Sequence, residues 1–99
     1  MITIVDYGMG NLYSVIGAFE YIGSTVELIY EPDQILEHNN LILPGVGSFR
    51  MGMDNLSDRG LDVAIIDSVL NKRSKILGIC LGMQLLGSSS TEDGYTNGL

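Results

Sequence analysis

A single cysteine, Cys80, cannot close a disulfide within one chain, so nothing in this sequence cross-links the fold covalently. A lone thiol also suits a reducing compartment. One cysteine and one histidine, His38, are too few soft donors for a tetrahedral metal site, and neither a metal nor a cofactor is expected. Basic residues are scarce: five Lys and Arg against twelve Asp and Glu give a formal charge of −7 at pH 7. Nucleic-acid binders gather basic patches against phosphate, so this balance argues against such a partner. Three of the five, Lys72, Arg73 and Lys75, cluster between a predicted helix and a predicted strand, where they read as a solvated helix end that complements the dipole. Long apolar runs are missing too. The longest falls far short of a bilayer span, and no basic region followed by an apolar core marks a secretory signal. The expectation is a soluble cytoplasmic protein with no membrane partner.

What is present is enough apolar content, 45%, to exclude disorder in a chain of 99 residues. A chain of that length buries roughly 60–70% of its unfolded surface, which suits one small domain spanning residues 1–99. The stretch that organises it is 75–86. Ile76, Leu77 and Ile79 form a short apolar run of the kind buried on both faces of a parallel sheet, and Leu81, Met83, Leu85 and Leu86 continue it as a helix. Between them Gly78-Ile79-Cys80-Leu81-Gly82 has the form Gly-x-nucleophile-x-Gly, in which small flanking residues let the chain reverse sharply and present the nucleophile above a sheet. Unpaired N–H groups at the start of the helix would favour thiolate over thiol. The Leu81 amide, next in the chain, is placed to meet an oxyanion. The competing reading is that Cys80 is a small core residue, since free cysteine is among the most buried types.

Taken in order, Ile2-Thr3-Ile4-Val5 is a strand that ends in the loop 6–11. Leu12, Val15, Ile16, Phe19 and Ile22 follow at helical spacing until Gly23, a plausible left-handed cap. Residues 25–30 read as an edge strand interrupted by Glu27 and closed by Pro32. A short helix over 34–37 leads to a third strand, 40–43, and then to Pro44-Gly45-Val46-Gly47, a loop whose N–H groups are unobstructed by side chains. Helices over 49–57 and 61–72 come next, with Gly60 between them and Leu61, Ala64, Ile65 and Val69 on one face of the second. Residues 88–99 are polar and glycine-rich with no clear period.

The strand-Gly-x-Gly-helix opening, with Glu31 downstream, invites a dinucleotide reading. Tyr13 occupies the place of the third glycine, however, and a tight turn explains the loop as well. Alternation of strands and helices predicts an α/β doubly wound parallel sheet, flavodoxin-like, in the order 2-1-3-4. Loops at Gly8, Gly45 and Cys80 would all lie at carboxyl ends, where such sheets bind ligands. That convergence favours the catalytic reading of the thiol. A receiver-like binding module is the non-catalytic alternative, but Asp6 stands alone after the first strand and Pro44-Gly45 follows the third where a phosphoacceptor Asp would sit.

Residues 6–12, 43–49 and 78–86 together resemble the class I glutamine amidotransferases. Within that family the likeness is to the branch that supplies ammonia to a (βα)8-barrel cyclase subunit in histidine biosynthesis, with a related enzyme serving another acceptor, such as a surface-polysaccharide sugar, as the alternative. The resemblance implies that Cys80 attacks the side-chain amide of glutamine and that Gly45, Val46, Gly47 and Leu81 supply the oxyanion hole. It also implies that Gln84 and Glu92 hold the amino-acid end of the substrate. Family members activate the cysteine with a His and a Glu near the end of a considerably longer chain. His38, the only histidine, precedes the third strand, which places it roughly 15 Å from the rim at about 3.3 Å per residue. It reads as a surface loop residue. The expectation is therefore the N-terminal part of an incomplete amidotransferase domain, carrying the nucleophile without its base and inactive by itself.

Overall fold

The computed structural model describes residues 2–87, 89, 90 and 96–99. Strand β1 (Ile2–Val5) leads through helix α1 (Leu12–Tyr21) to β2 (Val26–Ile29), and through α2 (Pro32–Ile35) to β3 (Asn40–Leu43). Helices α3 (Phe49–Asp58) and α4 (Leu61–Leu70) precede β4 (Lys75–Gly78), which runs into α5 (Leu81–Leu85). Strands β1 to β4 form one parallel sheet in the order β2-β1-β3-β4. Ile4 stands level with Leu28 on one side and Ile42 on the other, and Leu43 stands level with Gly78. All four strands thus end at one rim, because each crossover returns the chain to the same end of the sheet.

The main apolar cluster lies on one face, while Ile4 and Ile42 are buried on the other. Val5, Ile29, Leu41 and Leu43 project from the sheet against Ile35 of α2, Phe49 and Leu56 of α3, Leu61 and Ile65 of α4, and Leu81 and Leu85 of α5. Each such side chain, fully buried, contributes about 1.5–3 kcal/mol. Local signals fix the helix limits. Ser48 caps α3, its Oγ accepting from the Met51 N–H at 3.2 Å. Gly60, at φ 71°, makes the turn into α4. Pro32 opens α2 rather than merely closing β2, and Gln34 Oε1 reaches back to the Glu31 N–H at 3.2 Å. Glu31 is therefore a helix-start residue. Below the sheet, buried Ser68 donates to Ser74 at 2.7 Å and Ser74 to the His38 carbonyl at 3.2 Å, which ties α4 to the segment before β3.

One expectation is corrected, and two features go beyond what the sequence signalled. Strand β4 is not buried on both faces: it ends the sheet, no strand pairs with its outer side among the described residues, and Leu77 is 54% exposed. Helix α1, whose wound direction puts it on the opposite face from α2 to α5, has an apolar stripe that is only half covered; it buries no residue fully, and Ile22 is 70% exposed. Residues 89–90 and 96–97 do pair, as two-residue antiparallel strands β5 (Ser89–Ser90) and β6 (Thr96–Asn97). Their sequence offers neither length nor alternation to signal this. On the face of α4, Ser68 is buried while Val69 is only partly so. No helix among the described residues is long and apolar enough to cross a membrane.

Two apolar hollows flank β4. One of about 280 Å³ lies among Ile65, Val69, Ile76, Leu86 and Leu99; the other, of about 190 Å³, is lined by Ile2, Ile42, Ile76 and Leu77. An uncovered strand edge between apolar hollows favours strand-to-strand association. Sedimentation velocity on the 99-residue chain should show concentration-dependent association that Leu77→Lys reduces. A single monomeric species at high concentration would contradict this.

Candidate active site

Cys80 sits at the turn between β4 and α5 with φ 55° and ψ −118°, a conformation that a residue bearing a Cβ adopts at a cost of about 1–3 kcal/mol. The corner is held there by its neighbours. The Ile79 N–H donates to the Leu43 carbonyl at 3.0 Å, and the Leu81 N–H donates to the Gly45 carbonyl at 3.0 Å, so the parallel ladder of β3 and β4 continues past both strand ends. The Met83 N–H turns back to the Cys80 carbonyl at 3.1 Å, starting α5. Both flanking glycines are required by close approach. A Cβ on Gly82 would overlap the Leu43 carbonyl oxygen, and one on Gly78 would lie 2.6 Å from the Met83 backbone. With these contacts satisfied, the thiol is presented to solvent.

The loops after β1 and β3 close around the same rim. Pro44 and Gly45 are buried, whereas Val46 and Gly47 are exposed, and neither amide of that exposed pair has a hydrogen bond among the described residues. The side chain of Met9 packs onto Gly47, whose φ is 121°, and a Cβ on Gly10 would lie 3.6 Å from the Gly45 Cα. Beneath them Tyr7 is buried, its hydroxyl donating to the Pro44 carbonyl at 2.6 Å, and Asn55 of α3 donates to the Tyr7 carbonyl at 3.2 Å. Burial pushes the Tyr7 phenol well above its ordinary range, so it remains a neutral donor.

Cys80, Leu81, Gly45, Val46 and Gly47 therefore come together, as their positions at strand ends led one to expect. Gln84 is exposed one helical turn beyond Cys80. Glu92 lies outside the described residues. The Leu81 amide is not free: the Gly45 carbonyl occupies it. His38 stands before the start of β3, at the end of the sheet away from the thiol, where its Nε2 is 3.4 Å from Glu27 Oε2. It is a loop residue, as expected, but partly buried beside Glu27. Sequence reasoning missed Tyr7, since a tyrosine between Asp6 and Gly8 in a loop carries no signal of burial. No group of three or more His, Cys, Asp or Glu among the described residues could hold a metal ion.

A doubly wound parallel sheet whose fourth strand delivers an exposed cysteine through a glycine-flanked corner, beside main-chain amides of a neighbouring loop, defines an α/β domain of the nucleophile-elbow kind. The family model for class-I glutamine amidotransferases matches residues 3–97, and the chain belongs to that family. Among curated proteins it is 54% identical over 98 residues to imidazole glycerol phosphate synthase subunit HisH 1 of Parasynechococcus marenigrum strain WH8102, covering 99% of this chain and 47% of the relative. It is 50% identical over 99 residues to the HisH subunits of Geobacillus kaustophilus strain HTA426 and Bacillus subtilis strain 168, covering all of this chain and 46% of each. The chain thus spans about half the length of the curated relatives it matches.

Two glycine substitutions should move stability in opposite directions. Gly82→Ala should cost about 2 kcal/mol or more of unfolding free energy by overpacking the corner, whereas Gly17→Ala, in α1 with nothing within 4 Å of the added Cβ, should gain about 0.5–1 kcal/mol. Urea midpoints measure both. Tyr7 gives a pH signature. The fold favours its neutral form, so that contribution is complete below the ordinary tyrosine pKa near 10 and is lost as pH rises above it. The alkaline fall in unfolding free energy should be shallower in Tyr7→Phe.

Proposed function

We propose that these residues form the thiol and oxyanion side of the glutaminase subunit of imidazole glycerol phosphate synthase. That subunit hydrolyses glutamine in the cytoplasm and passes ammonia to a (βα)8-barrel cyclase subunit, with which it forms a heterodimer in histidine biosynthesis. The reading rests on exposed Cys80 at its strained corner, hydrogen-bonded alongside the loop from Leu43 to Gly45. The names of the relatives point to the particular synthase.

In this mechanism the Cys80 thiolate attacks the side-chain amide carbon of glutamine, and the carbonyl oxygen takes up negative charge. Backbone N–H groups of the 45–47 loop and of Leu81 receive it. Once the amide nitrogen gains a proton, collapse of the tetrahedral species expels ammonia and leaves a glutamyl thioester on Sγ. Water then attacks the thioester, releasing glutamate and restoring the thiol. Gln84 and Glu92 hold the amino-acid end of the substrate. Because the Gly45 carbonyl occupies the Leu81 N–H, that donor becomes available only after the Gly45–Val46 peptide turns the carbonyl away. Both proton transfers need a base, and His38 is at the wrong end of the sheet to provide it.

Two outcomes are expected. The 99 residues by themselves should turn over glutamine no faster than their Cys80→Ala variant in a glutamate-release assay. In a polypeptide that joins them to the second half of a HisH relative, a glutamine-analogue chloroketone should label Cys80, with protection by glutamine and no labelling in Cys80→Ala. Adducts at other positions, or labelling indifferent to glutamine, would remove the proposal.

A further inference from the structure

We infer that Tyr7 is a positioning residue for the Gly45–Val46 peptide: its buried hydroxyl fixes the Pro44 carbonyl and so holds the Gly45 carbonyl over the Leu81 amide. Only the catalytic meaning of this rests on the proposed role of Leu81 as an oxyanion donor. The anchoring itself is a matter of geometry.

Tyr7 is 1% exposed and sits in the main apolar cluster with Val5, Phe49 and Leu81. A hydroxyl in such surroundings must find an acceptor, and the Pro44 carbonyl at 2.6 Å is the one it has. The bond serves both groups, since Pro44 is buried as well and would otherwise be left with an unsatisfied acceptor. The peptide plane between Pro44 and Gly45 is thereby fixed. From the same hydroxyl comes a steric limit: it lies so near Gly45 that a Cβ there would overlap it. Asn55 donates to the Tyr7 carbonyl at 3.2 Å, so the backbone at Tyr7 is held from α3 as well as from β1.

The next peptide behaves differently. The Gly45 carbonyl accepts from Leu81 at 3.0 Å, but Val46 is 57% exposed, Gly47 is exposed, and their amides have no hydrogen bond among the described residues. One end of the loop is clamped by hydrogen bonds, and the other lacks amide hydrogen bonds among the described residues. With the upstream plane fixed, the Gly45 carbonyl can change direction only by rotation about the bonds at the Gly45 Cα. Tyr7 thus confines any change to a single peptide and biases it toward the setting that covers the Leu81 amide. Removing the hydroxyl alone should loosen that cover without disturbing the sheet.

Amide hydrogen exchange on the 99-residue chain tests this directly. In Tyr7→Phe the Leu81 amide should exchange roughly fivefold to tenfold faster, the effect of one hydrogen bond of ordinary net strength, while Ile4, Ile42 and Leu43 keep their rates. An unchanged Leu81 rate, or one that rises only in step with those core amides, would overturn the inference. A double-mutant cycle provides a second readout. Gly45→Ala should raise the urea sensitivity of the chain less on the Tyr7→Phe background than on the unmodified one; equal effects would show that the hydroxyl does not bear on Gly45. Neither measurement involves glutamine or the thiol. A failed labelling experiment therefore leaves the inference standing, and its own failure leaves the thiol reading intact.

Discussion

The arrangement depends on the pairing between β3 and β4 continuing beyond the strands themselves. Two hydrogen bonds, from Ile79 to Leu43 and from Leu81 to Gly45, run the ladder on into the loops. They fix the thiol corner against the proline-glycine loop at backbone precision, which a pair of independent loops would not achieve. Gly78 and Gly82 make this possible because the corner is pressed against backbone on both sides. Parallel strands bring the third contributor, the loop after β1, to the same rim without further provision.

Much of this was legible in the sequence. The order of elements and the 2-1-3-4 topology follow from strands alternating with helices and from the handedness of crossovers. The edge character of β2 was visible in Glu27, and the positive φ of Gly23 in its place after the last apolar residue of α1. The corner at Cys80 was readable because glycine on both sides of a nucleophile has few other physical uses. What escaped was whatever depends on contacts distant in sequence. The apolar run of β4 promised burial on two faces, yet burial is decided by what else covers a strand, and Leu77 is left more than half exposed. Val69 packs against the core as its spacing suggested, but the burial of Ser68 beside it rests on a bond to Ser74, between residues no pattern links.

The same limit applied at the site. That Gly45, Val46, Gly47, Leu81 and Cys80 gather at one rim could be read from strand ends, but the direction of a carbonyl could not. Whether the Leu81 N–H faces outward or is covered by Gly45 is settled by dihedral angles at one glycine, and glycine is the residue whose dihedrals sequence constrains least. Tyr7 likewise becomes informative only once its hydroxyl is seen beside Pro44.

The strained backbone at Cys80 sets a tension between folding and chemistry. Glycine at position 80 would adopt the same corner without penalty, recovering about 1–3 kcal/mol. A screen that rewarded thermal endurance alone would therefore drift toward that replacement, and the sulfur would be an early casualty of the improvement.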